Sequence, residues 1–113
     1  MDCIFCKIAT KKIETEFLYE DEDIVVFNDL NPQAPVHFLV IPKRHIASAN
    51  EIGKGDIPLI GHIFEVIAHL AKELGIGEEG YRIVNNIGEA GGQSVPHLHF
   101  HVLGGRSLQW PPG

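Results

Sequence analysis

Three histidines alternate with large apolar residues in the stretch SVPHLHFHVLGG. His97, His99 and His101 are separated by Leu98 and Phe100. Alternation is the period of a β-strand, so the imidazoles should share one face while the apolar side chains share the other. Same-face neighbours on a strand lie roughly 6–7 Å apart. A solvated strand face ordinarily carries Thr, Lys or Glu. Three imidazoles instead favour chemistry, as a nucleophile, an acid or base, or metal ligands.

Cys3 and Cys6 form a CxxC pair and are the only cysteines in the sequence. A structural disulfide is disfavoured in a cytoplasmic chain. A thioredoxin-like redox pair usually follows a strand, and none is predicted before this pair. A metal site needs two further ligands, for which His45 and His97 are the candidates. Two thiolates with two imidazoles form a common structural zinc set, but CxxC alone leaves these alternatives open.

Two further features can take part in chemistry. In the loop EAGGQS, Gly91 and Gly92 allow backbone amides to approach an anion and Ser94 adds a hydroxyl, although a tight hairpin turn is the simpler alternative. His37 lies inside the apolar stretch APVHFLVIP. A single histidine there is ordinarily a hydrogen-bonded core residue. It becomes a candidate for the site if its strand neighbours the histidine strand.

The spacing of apolar residues predicts the elements that must position these groups. Strands are predicted around Phe17–Tyr19 and Ile24–Asn28, over VHFLVIP and GYRIVNNIG, and from His97 through HLHFHVLGG. A short helical turn is predicted in CIFCKIATKKI. A long amphipathic helix is predicted from Ile57, ending at Gly75 or Gly77, with His62 and His69 on its solvated face. These elements predict one α+β domain over residues 1–113, with a five-stranded antiparallel sheet.

Composition limits the possible partners. The chain has 113 residues, 44% of them hydrophobic, which suits one domain with a real core. Fifteen acidic against nine basic residues give a net charge of −6, which argues against nonspecific binding to nucleic acid or to anionic membranes. No segment approaches 18 apolar residues, and the N-terminus lacks a signal-peptide pattern, so a cytoplasmic protein is predicted.

The stretch HLHFHVL resembles the signature of the histidine triad (HIT) superfamily of nucleotide hydrolases and transferases. CIFCKI, NDLNPQAPVHFLVIPKRHI, GYRIVNNIGEAGGQSVPHLHFHVLGG and WPPG are similar to the Hint branch, the purine nucleoside phosphoramidases. Pro96 and Asn28 depart from that branch, where bulkier residues and histidine respectively are usual. The resemblance implies a homodimer in which two five-stranded sheets join and the long helices touch. The apolar face of the helix, wider than one small sheet needs, independently favours a partner.

The resemblance implies a role for each site residue. His99 would attack the α-phosphate of a nucleoside monophosphate derivative and form a nucleotidyl-histidine intermediate, which water hydrolyses. His101 would stabilise the phosphate charge, and His37 would support the triad. The implied nucleotide contacts are Ser94 and Gly92 for the phosphate and leaving amine, Asn86 for the phosphate, Asp29 for the ribose, and Phe5, Ile8, Phe27 and Leu30 for a purine. Trp110 is implied to reach the partner's active site and to help select the leaving group.

The resemblance also bears on the cofactor and the substrate. Similarity to bacterial HIT proteins and to galactose-1-phosphate uridylyltransferases implies a structural zinc bound by Cys3, Cys6, His45 and His97. The implied substrates are purine nucleoside phosphoramidates or acyl-adenylates, with release of AMP or GMP. Two alternatives remain, namely a dinucleoside polyphosphate hydrolase of the Fhit branch and a nucleotide-binding scaffold with vestigial activity.

Overall fold

The computed structural model describes residues 3–113, so the first two residues of the predicted domain lie outside the described part. The elements, in chain order, are α1 (Ile4–Ala9), β1 (Phe17–Glu20), β2 (Ile24–Asn28), β3 (Val36–Pro42), α2 (Ile57–Glu73), β4 (Tyr81–Val84) and β5 (Phe100–Gly104). Two 3₁₀ turns, Ala49–Glu51 and Lys54–Asp56, precede α2. All neighbouring strands are antiparallel, in the order β1-β2-β3-β5-β4. The predicted α+β class and five-stranded sheet are confirmed. Neither α-helix of the described residues is long and apolar enough to cross a bilayer.

A separate apolar cluster packs on each face of the sheet. The larger cluster joins the sheet to α2 and includes Phe38, Val40, Phe100, Val102, Ile63 and Ile67. The smaller cluster joins the opposite face to α1 and includes Phe5, Ile8, Val25, Phe27, Leu39 and Ile41. Because side chains alternate along β3 and β5, His37 and His101 lie on the face that α1 covers. The sheet therefore separates the long helix from the histidines.

Helix α2 begins and ends close to the predicted positions. Asp56 occupies the N-cap and Pro58 lies in the first turn. Gly75, just past the end, has a φ of 78°, which glycine adopts without strain. The face of α2 that was predicted to be solvated is only partly exposed to solvent. His69 is exposed, but the Nε2 atom of His62 lies 2.5 Å from Oδ2 of Asp21, so this face also docks on the β1–β2 turn.

The histidine strand begins later than the sequence predicts. It starts at Phe100 rather than at His97, because Pro96 has no N–H to donate and the chain bends over residues 95–97. The N–H of Leu98 bonds instead to the carbonyl of Ile46 at 2.6 Å. Strand β4 is also shorter than GYRIVNNIG and ends at Val84. Alternation survives, because Leu98 and Phe100 are both buried in the α2 cluster.

Candidate active site and metal centre

The register of β3 against β5 brings the fourth histidine to the triad. His37 pairs with Leu103, and His101 pairs with Leu39. The Nε2 atom of His37 lies 2.9 Å from Nδ1 of His101. The ring centroids of His99 and His101 are 5.2 Å apart. His37 was a candidate for the site only if its strand neighboured the histidine strand, and β3 and β5 are neighbours.

A backbone carbonyl fixes the tautomer of His99. The Nδ1 atom of His99 lies 2.7 Å from the carbonyl oxygen of His97. Because a carbonyl can only accept, Nδ1 carries the proton and the lone pair of the neutral ring lies on Nε2. Asn85 donates from Nδ2 to the carbonyl of His99 at 2.9 Å, which steadies the backbone at this residue. The neutral ring of His99 thus has its lone pair on Nε2, which is what a nucleophilic imidazole requires.

A backbone amide fixes the tautomers of His37 and His101 in turn. The N–H of Gln33 donates to Nδ1 of His37 at 3.0 Å, so His37 carries its proton on Nε2. That proton is donated to Nδ1 of His101, which leaves the proton of His101 on its own Nε2. Burial lowers the pKa of both histidines, which favours the neutral rings that this scheme assumes. Asp29 lies beside the pair, with Oδ2 3.4 Å from Nε2 of His37.

The four predicted metal ligands converge at the N-terminus of α1. Nδ1 of His97 lies 3.4 Å from Sγ of Cys3, 3.6 Å from Sγ of Cys6 and 3.2 Å from Nδ1 of His45. Nδ1 of His45 lies 3.3 Å from Sγ of Cys6. Tetrahedral zinc with these donors has ligand–ligand separations of roughly 3.3–3.8 Å, given Zn–S of about 2.3 Å and Zn–N of about 2.0–2.1 Å. The donor set and its spacing therefore fit a metal ion of this kind.

An outer hydrogen bond prepares His97 for that role. Its Nε2 atom lies 2.8 Å from the carbonyl oxygen of Pro42, so Nε2 carries the proton and Nδ1 offers a lone pair. The ring of His97 is completely buried, and burial lowers its pKa. A neutral ring with a free Nδ1 is the form that binds a metal.

The predicted purine contacts are brought together only in part. The rings of Phe5 and Phe27 meet edge to face at 5.8 Å, and Phe5 also lies 5.0 Å from the ring of His99. Ile8 is buried in the same cluster. Leu30 is completely exposed and is not among them. The buried residues form a packed floor beneath the histidines rather than an open slot.

The glycine-rich loop has a backbone that only glycine allows. A Cβ added to Gly91 would lie 2.3 Å from the carbonyl oxygen of Ile87, and Gly92 has a φ of 81°. Gln93 holds the loop: its Oε1 accepts from the N–H of Gly88 at 2.9 Å, and its Nε2 donates to the carbonyl of Ala47 at 2.8 Å. This geometry suits both hypotheses drawn from the sequence, a tight turn and a loop whose amides bind an anion.

The remaining predicted contacts lie around the rim. Ser94 is exposed and Asn86 is half-buried. Asn86 lines a cleft of about 420 Å³ on the histidine face, next to Val84 and Leu103. Trp110 is 82% exposed, so within the described chain it packs against little.

Several residues that shape the site were missed in the sequence. Gln33 and Pro42 act through backbone groups, as does the carbonyl of His97, a residue named in the sequence only for its side chain. Every residue type offers such groups, so no sequence pattern marks them. Asn85 and Gln93 act through side-chain amides. Their one signal is position, since both lie between the fourth strand and the histidines.

Known proteins are similar to this chain in fold and in sequence. Residues 2–109 match the family described as "Scavenger mRNA decapping enzyme C-term binding". An uncharacterised HIT-like protein of Synechococcus elongatus is 50% identical over 112 residues, which cover 99% of this chain and 97% of that protein. The structure of a HIT family hydrolase from Legionella pneumophila Philadelphia 1 is similar, with a TM-score of 0.97, 46% identity, and coverage of 99% of this chain and 100% of that one. The structure of a histidine triad protein from Clostridium difficile is also similar, with a TM-score of 0.93, 49% identity, and coverage of 96% of this chain and 95% of that one.

Proposed function

Because the chain belongs to the histidine triad family, we propose that it is a nucleotide hydrolase that cleaves purine nucleoside phosphoramidates or acyl-adenylates. The observation that carries the proposal is the tautomer of His99. Its Nδ1–H is held by the carbonyl of His97, so the lone pair on Nε2 is available to attack phosphorus. The similar Legionella pneumophila protein is described as a hydrolase, which supports the same class of reaction.

The reaction proceeds through a covalent histidine in two steps. In the first, Nε2 of His99 bonds to the α-phosphorus while the bond from phosphorus to the leaving nitrogen breaks. The departing amine gains one proton, which the exposed hydroxyl of Ser94 can pass on from water. In the second step, water attacks phosphorus and the bond to Nε2 breaks. His99 recovers its lone pair, the nucleoside monophosphate leaves, and the proton from water is released.

The neighbouring residues stabilise the transition state. The Nε2–H of His101, fixed by His37, donates to a phosphate oxygen where negative charge develops. The amides around Gly92 and the side chain of Asn86 contact the other oxygens. The carboxylate of Asp29 accepts hydrogen bonds from the ribose hydroxyls. The purine lies against the edge of the cluster of Phe5, Ile8 and Phe27, beside the exposed Leu30.

We assign the cluster of Cys3, Cys6, His45 and His97 to a structural zinc. When bound, the ion supplies a cross-link between α1, the loop after β3 and the triad. It supplies no nucleophile, because His99 fills that role. We further propose a cytoplasmic homodimer without nucleic-acid or membrane partners.

A turnover assay on two substrates tests the proposal. Purified protein is given adenosine phosphoramidate and, separately, a diadenosine polyphosphate, and the released AMP is measured. Faster cleavage of the phosphoramidate supports the proposed reaction. Faster cleavage of the polyphosphate favours the dinucleoside polyphosphate hydrolase. Binding of AMP without turnover of either compound, or of an acyl-adenylate given separately, identifies a nucleotide-binding scaffold.

A further inference from the structure

The guanidinium of Arg106 clamps a loop 73 residues away in sequence. Its Nε and Nη2 atoms both donate to the carbonyl of Gln33, at 3.1 and 2.9 Å. Its Nη1 atom donates to the carbonyl of Ser107 at 3.0 Å. The backbone beside it approaches the same loop, since a Cβ added to Gly105 would lie 3.0 Å from Cβ of Pro35. Hydrogen bonds from a charged donor are among the stronger ones, so this contact helps to hold Gln33 in place.

The clamped loop is otherwise held by its own short hydrogen bonds. The N–H of Asn31 donates to Oδ1 of Asp29 at 2.8 Å, and Nε2 of Gln33 donates to the carbonyl of Asn31 at 3.0 Å. The far end of the loop enters β3 at Val36. Arg106 thus connects the middle of this loop to the chain that follows β5.

The position of Gln33 decides which nitrogen of His37 carries the proton. With the N–H of Gln33 at Nδ1, His37 donates from Nε2 and His101 keeps its proton on its own Nε2. Without that donor, His37 can carry its proton on Nδ1 and accept from His101 at Nε2. His101 would then have an unprotonated Nε2 atom, which cannot donate to a phosphate oxygen. The hydrogen bond from Gln33 to His37 therefore decides whether Nε2 of His101 can donate to a phosphate oxygen.

We propose that Arg106 is a positioning residue that acts through Gln33 to keep His37 and His101 in the tautomers that leave Nε2–H of His101 as a donor. The consequence for turnover rests on the function proposed above, whereas the consequence for the tautomers does not. Arg106 touches neither histidine. Among the described residues, Arg106 donates its hydrogen bonds to the backbone carbonyls of Gln33 and Ser107, as expected of a group that holds a loop.

Imidazole nitrogen shifts in ¹⁵N-labelled protein, measured by NMR without substrate, test the tautomers directly. The wild type should show His37 and His101 each with the proton on Nε2. Arg106→Ala should shift both toward a mixture of tautomers, and added guanidinium ion should restore the wild-type spectrum. Arg106→Lys, which keeps a charged donor, should lie between the two and serves if the alanine variant folds poorly. Arg44→Ala is the matched control, because that arginine is exposed and pairs with Asp56 instead.

Turnover of adenosine phosphoramidate gives the second readout. Arg106→Ala should lower kcat about tenfold, a fraction of what general acid–base groups contribute, with KM changed less than about threefold. Unchanged tautomers in a folded Arg106→Ala protein would overturn the proposal, as would a kcat within twofold of wild type when the wild type is active. A wild type that shows the stated tautomers but no turnover contradicts the proposed function and leaves the role of Arg106 in place.

Discussion

The carbonyl of His97 accepts a hydrogen bond from Nδ1 of His99 at 2.7 Å. The same residue directs its ring Nδ1 into the cluster with Cys3 and Cys6. One residue therefore links the predicted metal site to the predicted nucleophile, through its side chain on one side and its backbone on the other. In the proposed function, the side chain of His97 is therefore structural, and the acid–base role is assigned to His101 and its neighbours.

Replacing His99 should abolish turnover while nucleotide binding survives. His99→Ala and His99→Gly remove the lone pair that attacks phosphorus, so we expect kcat to fall at least about a thousandfold. Calorimetric titration with AMP should give a Kd within a fewfold of wild type, because the other predicted contacts remain. His69→Ala, on the opposite side of the sheet, is the control. Mass spectrometric trapping of a nucleotidyl group on another residue would refute the assignment.

Protein purified without chelator should contain about one zinc ion per chain, because four separations among the ligand atoms lie between 3.2 and 3.6 Å, close to those of a tetrahedral site. Metal analysis by mass spectrometry measures the ratio. Cys3→Ser should lose the metal and lower the free energy of unfolding by more than about 2 kcal/mol, since metal binding and folding are coupled.

The effect of metal loss on chemistry should be smaller than its effect on stability. At a temperature where the Cys3→Ser protein is still folded, we expect its kcat to fall less than about tenfold, because no ligand of the cluster attacks the substrate. Full zinc content in Cys3→Ser would show that the metal lies elsewhere.

The pair of His62 and Asp21 should make stability depend on pH. The hydrogen bond to Asp21 raises the pKa of His62, against a smaller effect of burial. Burial acts to raise the pKa of Asp21, but hydrogen bonds from His62 and nearby backbone amides outweigh it and lower that pKa. The histidine's contribution is therefore full below about pH 6.5 and is lost as pH rises through the raised pKa. The aspartate's contribution is present above about pH 4 and is lost on acidification.

Urea denaturation of His62→Gln at two pH values measures this effect. We expect the variant to lose about 0.5–1 kcal/mol relative to wild type near pH 5.5 and less near pH 9, since the pair is partly solvated. His69→Gln is the control, because its pair with Glu73 is exposed on the same helix. An equal loss at both pH values would show that the charge of His62 does not contribute.

Periodicity predicted the fold because it reports burial, and burial decides which face of each element meets the sheet. The alternation of Leu98 and Phe100 with histidines placed both apolar side chains in the α2 cluster, even where the strand had not yet begun. The strand boundary itself was wrong by three residues. Backbone pairing needs N–H groups, and the effect of Pro96 extended further than the residue after it.

The site was predictable only where side chains carry the chemistry. His37 and His101 could be named from their types, but their tautomers depend on the backbone N–H of Gln33, which no residue type encodes. The resemblance implied Leu30 as a purine contact, but only the folded chain shows that its side chain lies in solvent instead of packing with Phe5 and Phe27. Contacts across distant parts of the chain decide which residues lie together.

The exposed apolar surface of α2 should hold two chains together. Ile57 and Phe64 on α2 and Leu74 at its C-cap expose 60%, 45% and 41% of their surface, which is more apolar surface than a solvated helix face usually carries. We therefore expect a dimer by light scattering at micromolar concentration, and Phe64→Glu should give monomers.

Removing residues 108–113 should change which leaving group the protein prefers. In a dimer, Trp110, exposed in its own chain, is free to pack on the partner. The truncated protein and Trp110→Ala should alter the ratio of rates across a series of phosphoramidates with different amines by about tenfold, the effect of a modest apolar contact. Their free energy of unfolding should change by less than about 0.5 kcal/mol. An unchanged ratio would remove this segment from the site, and a wild-type monomer would exclude a contribution from a second subunit.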